Sequence, residues 1–161
     1  MSEPRGESAV AGSERGGHAE AQPALEAAPT IAGETKPRVA MTQAALDLLV
    51  DLVRKHGQLM FHQSGGCCDG SSPMCFPEGD FLTSEADILL GHFELPLPDE
   101  GGGGSTVSGL DFWMSVEQFE YWKHTHLTID VVPGRGSGFS VESPTGNRFI
   151  IRSTLLGDSG S

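Results

Sequence analysis

The chain has 161 residues, 10 basic against 22 acidic side chains, and a formal charge of -12 at pH 7. That length suits one domain, and its 37% apolar content falls below the ~45–50% of a typical globular chain, so part of it is expected to lie outside the core. So acidic a chain repels phosphate, which argues against nucleic acid and anionic membranes as partners, and no run approaches the ~18 apolar residues of a membrane helix.

The opening residues, MSEPRGESAVAGSERGGHAE, contain no apolar segment of the kind a secretory signal needs, so a cytoplasmic location is expected. Residues 1–38 hold one Leu, one Ile, one Val and no aromatic residue. Burying them could not offset an ordering entropy of ~1–2 kcal/mol per residue, and the segment reads as a disordered tail. The remainder, residues 39–156, reads as a single domain that carries most of the negative charge.

Within that domain Thr42–His56 (TQAALDLLVDLVRKH) places Leu46, Leu49, Val50 and Val53 on one helical face. Thr42 suits the N-cap, Arg54, Lys55 and His56 suit the C-terminal dipole, and Gly57 is a stop signal. Leu59–Gln63 reads as a short strand leading into a glycine- and cysteine-rich loop, SGGCCDGSSPMCFPEGD. Ala86–Phe93 reads as the next strand. Residues 94–109, which include four consecutive glycines, read as a flexible excursion. Asp111–Met114 is a further strand candidate. Ser115 and Gln118 form a capping box for a second short helix anchored by Phe119 and Trp122. His126–Val132 and Ser137–Val141 are strand-like, Ser143–Gly146 is a turn, and Asn147–Ile151 returns as a hairpin partner. The order of elements predicts a small, mostly antiparallel α+β domain with two helices.

Two stretches, LMFHQSGGCCDGSSPMCFPEGDF at 59–81 and FEYWKHTHLTIDVVPGRGSGFSVESPTGNRF at 119–149, resemble a small bacterial family of unknown function often encoded beside aldehyde dehydrogenases. With the first helix, the resemblance covers Val39–Arg152. A more distant likeness is to the HesB-like A-type iron–sulfur carriers. It rests on Thr42 with Ala45, Gly66–Gly70, Ser115, Ile129-Asp130-Val131, Gly136-Ser137-Gly138-Phe139 and Ser143-Pro144. That likeness implies a HesB-like fold and puts Cys68 where the carriers have their first cluster cysteine. The chain ends LLGDSGS and lacks the Cys-x-Cys pair the carriers use there, so the carrier function is not implied intact.

The cysteines are Cys67, Cys68 and Cys75. An odd, clustered set is a poor disulfide framework. Neighbouring side chains on an extended loop diverge, so one of the adjacent pair together with Cys75 is the more plausible metal-binding combination. Zinc takes four N or S ligands and iron–sulfur clusters take thiolates, so three thiols need help from His62, or from His124 and His126, which share a face if they lie on a strand. Two other readings stand beside a metal site of zinc, iron or an iron–sulfur cluster. The thiols could be redox-active or simply packed, or one could be a nucleophile with His62 as its base. Pro133–Phe139 (PGRGSGF) lacks the ending of a phosphate-binding loop and reads as a tight connection. Trp113, Tyr121 and Trp122 belong to an aromatic-rich run and are the candidate partner contacts.

The expected function is that of an accessory or regulatory protein for an aldehyde dehydrogenase, the partner being what the family resemblance implies. It would work through a cysteine-rich loop that binds metal or senses redox state. The alternatives are an independent metal or iron–sulfur carrier and a small cysteine-dependent enzyme. Self-association is left open by the sequence.

Overall fold

The computed structural model describes residues 23–63, 71–98, 104–134 and 140–156. Helix α1 runs Gln43–His56. The Thr42 hydroxyl accepts the Ala45 N–H at its start, and Gly57 ends it at φ 84°, a conformation that favours glycine. Its buried stripe is Ala45, Leu46, Leu49, Leu52 and Val53, with Val50 only partly buried. The helix is thus rolled slightly from the face that the leucine and valine spacing alone suggests.

The strands are β1 (Leu25–Glu26), β2 (Ala28–Pro29), β3 (Val39–Met41), β4 (Leu59–Gln63), β5 (Met74–Pro77), β6 (Asp87–Pro98), β7 (Ser105–Ser115), β8 (Thr125–Pro133) and β9 (Asn147–Leu155), with helix α2 at Val116–Trp122. They form a four-stranded sheet, β9-β8-β3-β1, and a five-stranded sheet, β2-β6-β7-β4-β5. Both sheets are mixed, because β3 pairs parallel with β8 and β4 parallel with β7. The fold is therefore α+β, with two helices and mixed sheets. No helix among the described residues is long and apolar enough to cross a membrane.

The core lies between the sheets and α1. Phe61 on β4 meets Phe149 on β9 edge-on at 5.0 Å and Phe112 on β7 at 5.7 Å, so one ring joins the two sheets. Such pairs contribute about 0.5–1.5 kcal/mol beyond the area they bury.

At one side the sheets are joined by residues 24–30, part of the segment read as a disordered tail. Ala24 and Ala27 donate to the Met41 and Val39 carbonyls of the smaller sheet at 2.8 and 2.9 Å. Ala28 then pairs with His92 of the larger sheet, and Thr30 Oγ1 donates to the Leu89 carbonyl at 2.7 Å. This corrects the expectation for the described part of the tail; residues 1–22 lie outside the described residues. Composition undercounts such a segment because it contributes backbone hydrogen bonds, one small buried wedge, Ala27, and only a few partly buried apolar side chains, Ala24, Leu25 and Ile31.

The expected excursion at 94–109 is also corrected. Residues 94–98 and 105–109 extend β6 and β7 in antiparallel register, Glu94 opposite Gly109 and Pro98 opposite Ser105. Residues 99–103 lie outside the described residues. The alternation Phe93, Leu95, Leu97 feeds the core, a strand signal that the neighbouring glycines mask. Pro96 and Pro98, beyond the short β2, have no N–H to offer a further strand. Arg54 donates to the Pro98 carbonyl. Part of the loop expected after β4 is strand β5, which pairs with β4. Of the strand expected at 137–141, Ser140 and Val141 form a bend and a turn, and residues 137–139 lie outside the described residues. Asn147–Leu155 pairs with Thr125–Pro133 instead.

The joint at Ala27 requires a glycine opposite it. A Cβ on Gly91 would lie 2.7 Å from Ala27 Cβ, too close without movement of the crossing segment. Gly91→Ala is expected to cost about 1–3 kcal/mol through overpacking, read as a lower urea midpoint at unchanged slope. An unchanged midpoint would show that the segment is not seated there.

Candidate functional site

Strand β4 is buried along its whole length. Leu59 and Phe61 join the core cluster, so the pleat turns Met60 and His62 to the opposite, outer face of the larger sheet. His62 pairs in register with Met74 of β5 and Trp113 of β7. Its Nε2 lies 2.6 Å from Oδ1 of Asp87, the first residue of β6, and the two side chains are 4% and 9% exposed. The second Asp87 oxygen accepts the Ser84 N–H at 2.9 Å.

Burial pulls the Asp87 carboxyl up, but hydrogen bonds from His62 and Ser84, with the charge interaction from His62, outweigh it and hold the group below its ordinary 3.8. An ionised carboxylate needs a donor, so Nε2 of His62 carries a proton and, in the neutral ring, Nδ1 keeps its lone pair. This is the arrangement in which an imidazole serves as a metal ligand or a base, with the carboxylate fixing tautomer and orientation. Phe81 lies against the His62 ring at 4.3 Å, and Phe76 stacks on Phe81 at 5.2 Å. His62 therefore rests against an aromatic stack near the end of β4, just ahead of the cysteine-bearing segment.

The other sequence candidates are dispersed. Cys75 is on β5 but faces the core, fully buried. Burial, reinforced by the charge of Glu142, pushes its thiol well above the usual 9.0, so it is held as a neutral, inert thiol. His124 is exposed in the turn after α2, not on a strand. His126 is half-buried on β8 of the smaller sheet, where burial lowers its pKa and Glu26 partly offsets that. Among the described residues no group of three or more His, Cys, Asp or Glu side chains could hold a metal ion, so these donors do not by themselves fit a metal or cluster. Cys67 and Cys68 lie outside the described residues. The segment that carries them runs between fixed ends, Gln63 on β4 and Ser71, whose carbonyl accepts the Ile151 N–H of β9 at 2.8 Å.

Of the candidate partner contacts, Trp122 is a core residue, 4% exposed, with its indole N–H on Gln118, and its ring is not offered to a partner. Tyr121 is 67% exposed, and Trp113 is half-buried on the outer face beside His62. Asp87, Phe81, Ser140 and Glu142 went unnoticed in the sequence. Asp87 lies 25 positions from His62, with no motif linking them. Only the polar residue opening an apolar strand hinted that its side chain had a task.

A family model described as a domain of unknown function, DUF779, matches residues 48–155. No curated protein and no solved structure matches the chain.

Asp87 gives the corner a signed pH dependence. Its folded pKa is depressed, so its stabilising contribution is present above 3.8 and is lost as pH falls through the folded value. Asp87→Asn is expected to cost about 1.5–3 kcal/mol at pH 7, the range for a hydrogen bond to a charged group. That cost should shrink when both proteins are unfolded in urea at a pH below the folded value. An equal cost at both pH values would contradict an ionised Asp87.

Proposed function

We propose, for a chain that belongs to the DUF779 family of domains of unknown function, an accessory role without turnover of its own. The domain holds a site built from cysteine thiols and one oriented imidazole, binds a metal or registers thiol redox state there, and acts on an aldehyde dehydrogenase in the cytoplasm.

The observation that carries this reading is the His62–Asp87 pair. A buried imidazole aimed by a carboxylate is unusual as mere packing, and here it lies five residues before Cys67. Cys75, neutral and sealed in the core, is an unsuitable ligand, which leaves Cys67 and Cys68 as the working thiols. Bound zinc, iron or an iron–sulfur cluster would supply Lewis-acid or redox chemistry. This chain's own part would be to hold His62 in one tautomer and to keep both ends of the thiol segment fixed. The choice of aldehyde dehydrogenase rests on the sequence resemblance alone, as does a HesB-like description of the fold, whereas a mostly antiparallel description rests on the order of elements. The acidic surface fits a partner with a basic face, whose approach would weaken with salt.

The same pair also favours a second reading, a small cysteine-dependent enzyme in which His62 is the base and Asp87 its orienter. Substrate turnover without a partner separates the two.

Anaerobic purification followed by metal analysis tests the proposal. Bound zinc or iron is expected, lost on Ser substitution of whichever of Cys67 and Cys68 turns toward it and weakened about 10- to 100-fold in Asp87→Asn, the usual effect of removing a ligand's supporting carboxylate. Aldehyde dehydrogenase should co-purify at low salt. A folded, metal-free protein with unreactive thiols that recovers no dehydrogenase would overturn the reading.

A further inference from the structure

The far edge of the sandwich holds a buried carboxylate that the His62 corner does not use. Glu142 follows the Ser140–Val141 turn and is 1% exposed. Its carboxylate accepts the Ser140 hydroxyl and the backbone N–H of Phe149 on β9. The same Ser140 oxygen accepts the Cys75 N–H of β5 at 2.8 Å, and the Val141 N–H donates to the Cys75 carbonyl at 3.0 Å. A continuous path of hydrogen bonds therefore runs from the larger sheet through Ser140 and Glu142 to the smaller one. The titratable group facing Glu142 from β5 is the Cys75 thiol. The neighbouring cation on β9, Arg148, donates to Ser72 Oγ at 2.8 Å.

We propose that Glu142 is an acid-set latch on this seam: neutral, it lets the two sheets close over residues 140–142, and ionised, it loosens that segment together with the strand at Cys75 that follows the cysteine-bearing segment. The Ser140 bond survives in either state, because a hydroxyl can donate to a carboxylate or accept from a carboxyl. What changes is the cost of keeping a charge out of water. Burial raises the Glu142 pKa above its ordinary 4.5, and the hydrogen bonds from Ser140, its own backbone and Phe149 only partly offset this. Above 4.5 and below the folded value, the native state thus holds a proton that the unfolded chain releases. The stability this group contributes is fully present below 4.5 and is lost as pH rises through the folded value. That is the opposite sense to Asp87, so acid tightens the seam while it weakens the His62 corner. The latch stands on the seam geometry; its bearing on thiol chemistry rests on the function proposed above.

Hydrogen exchange and carboxyl NMR on the full chain test it. The Glu142 carboxyl should titrate above 4.5. The protection factors of the Cys75, Val141 and Phe149 amides should fall several-fold across that titration, while that of Phe112 in the core does not. In Glu142→Gln the same amides should stay protected at every pH. A Glu142 midpoint at or below 4.5, flat protection in the wild type, or an equal fall in the variant would overturn the latch. If the variant fails to fold, the wild-type titration and protection profile decide alone. A metal-free protein with unreactive thiols that recovers no dehydrogenase, yet whose seam behaves as expected, would sink the proposed function and leave the latch standing.

Discussion

Two facing sheets depend on something closing their sides, and here short backbone segments do it. A sheet edge is a row of unpaired N–H and C=O groups, and a buried group left without a partner costs about 1–3 kcal/mol. Residues 24–30 answer this on one side, with Ala27 between a strand added to each sheet. Ser140, Val141 and Glu142 answer it on the other by binding Cys75 of the larger sheet and Phe149 of the smaller. The aromatic contact of Phe61 with Phe149 lies between these closures.

The closures also explain why the His62 corner is fixed in place. β4 is interior to its sheet, flanked by β5 and β7, and β5 in turn is tied by Cys75 to the seam. His62 therefore rides on a strand with neighbours on both sides, and Asp87 reaches it from the start of β6. The two ends of the cysteine-bearing segment are set by different sheets, Gln63 by β4 of the larger and Ser71 by β9 of the smaller.

Helix α1 was legible because its cap, its apolar spacing and its terminal glycine all agree, and α2 because Ser115 and Gln118 form a recognisable cap. Much of β8 and β9 was legible from apolar alternation. The N-terminal crossing was not, because Ala24–Pro29 has neither alternation nor bulk and acts through backbone groups that every residue shares. The length of the β6–β7 hairpin was hidden by glycines and prolines, although Pro96 and Pro98 are at home on an edge. His62 was singled out for its place before the cysteines, but Asp87, which gives it a defined tautomer, could not be found from spacing. That Cys75 and Trp122 are buried was not legible, because composition does not say which face of a strand or helix meets the core.

The most direct test of the account is removal of residues 1–31 followed by urea unfolding and hydrogen exchange on the remaining chain. If the crossing segment closes the sandwich, the truncated protein should unfold at a clearly lower midpoint. The amides of β3 and the outer edge of β6 around His92 should then lose protection first. A truncated protein with the same midpoint, slope and exchange pattern as the full chain would contradict the claim that this segment holds the two sheets together.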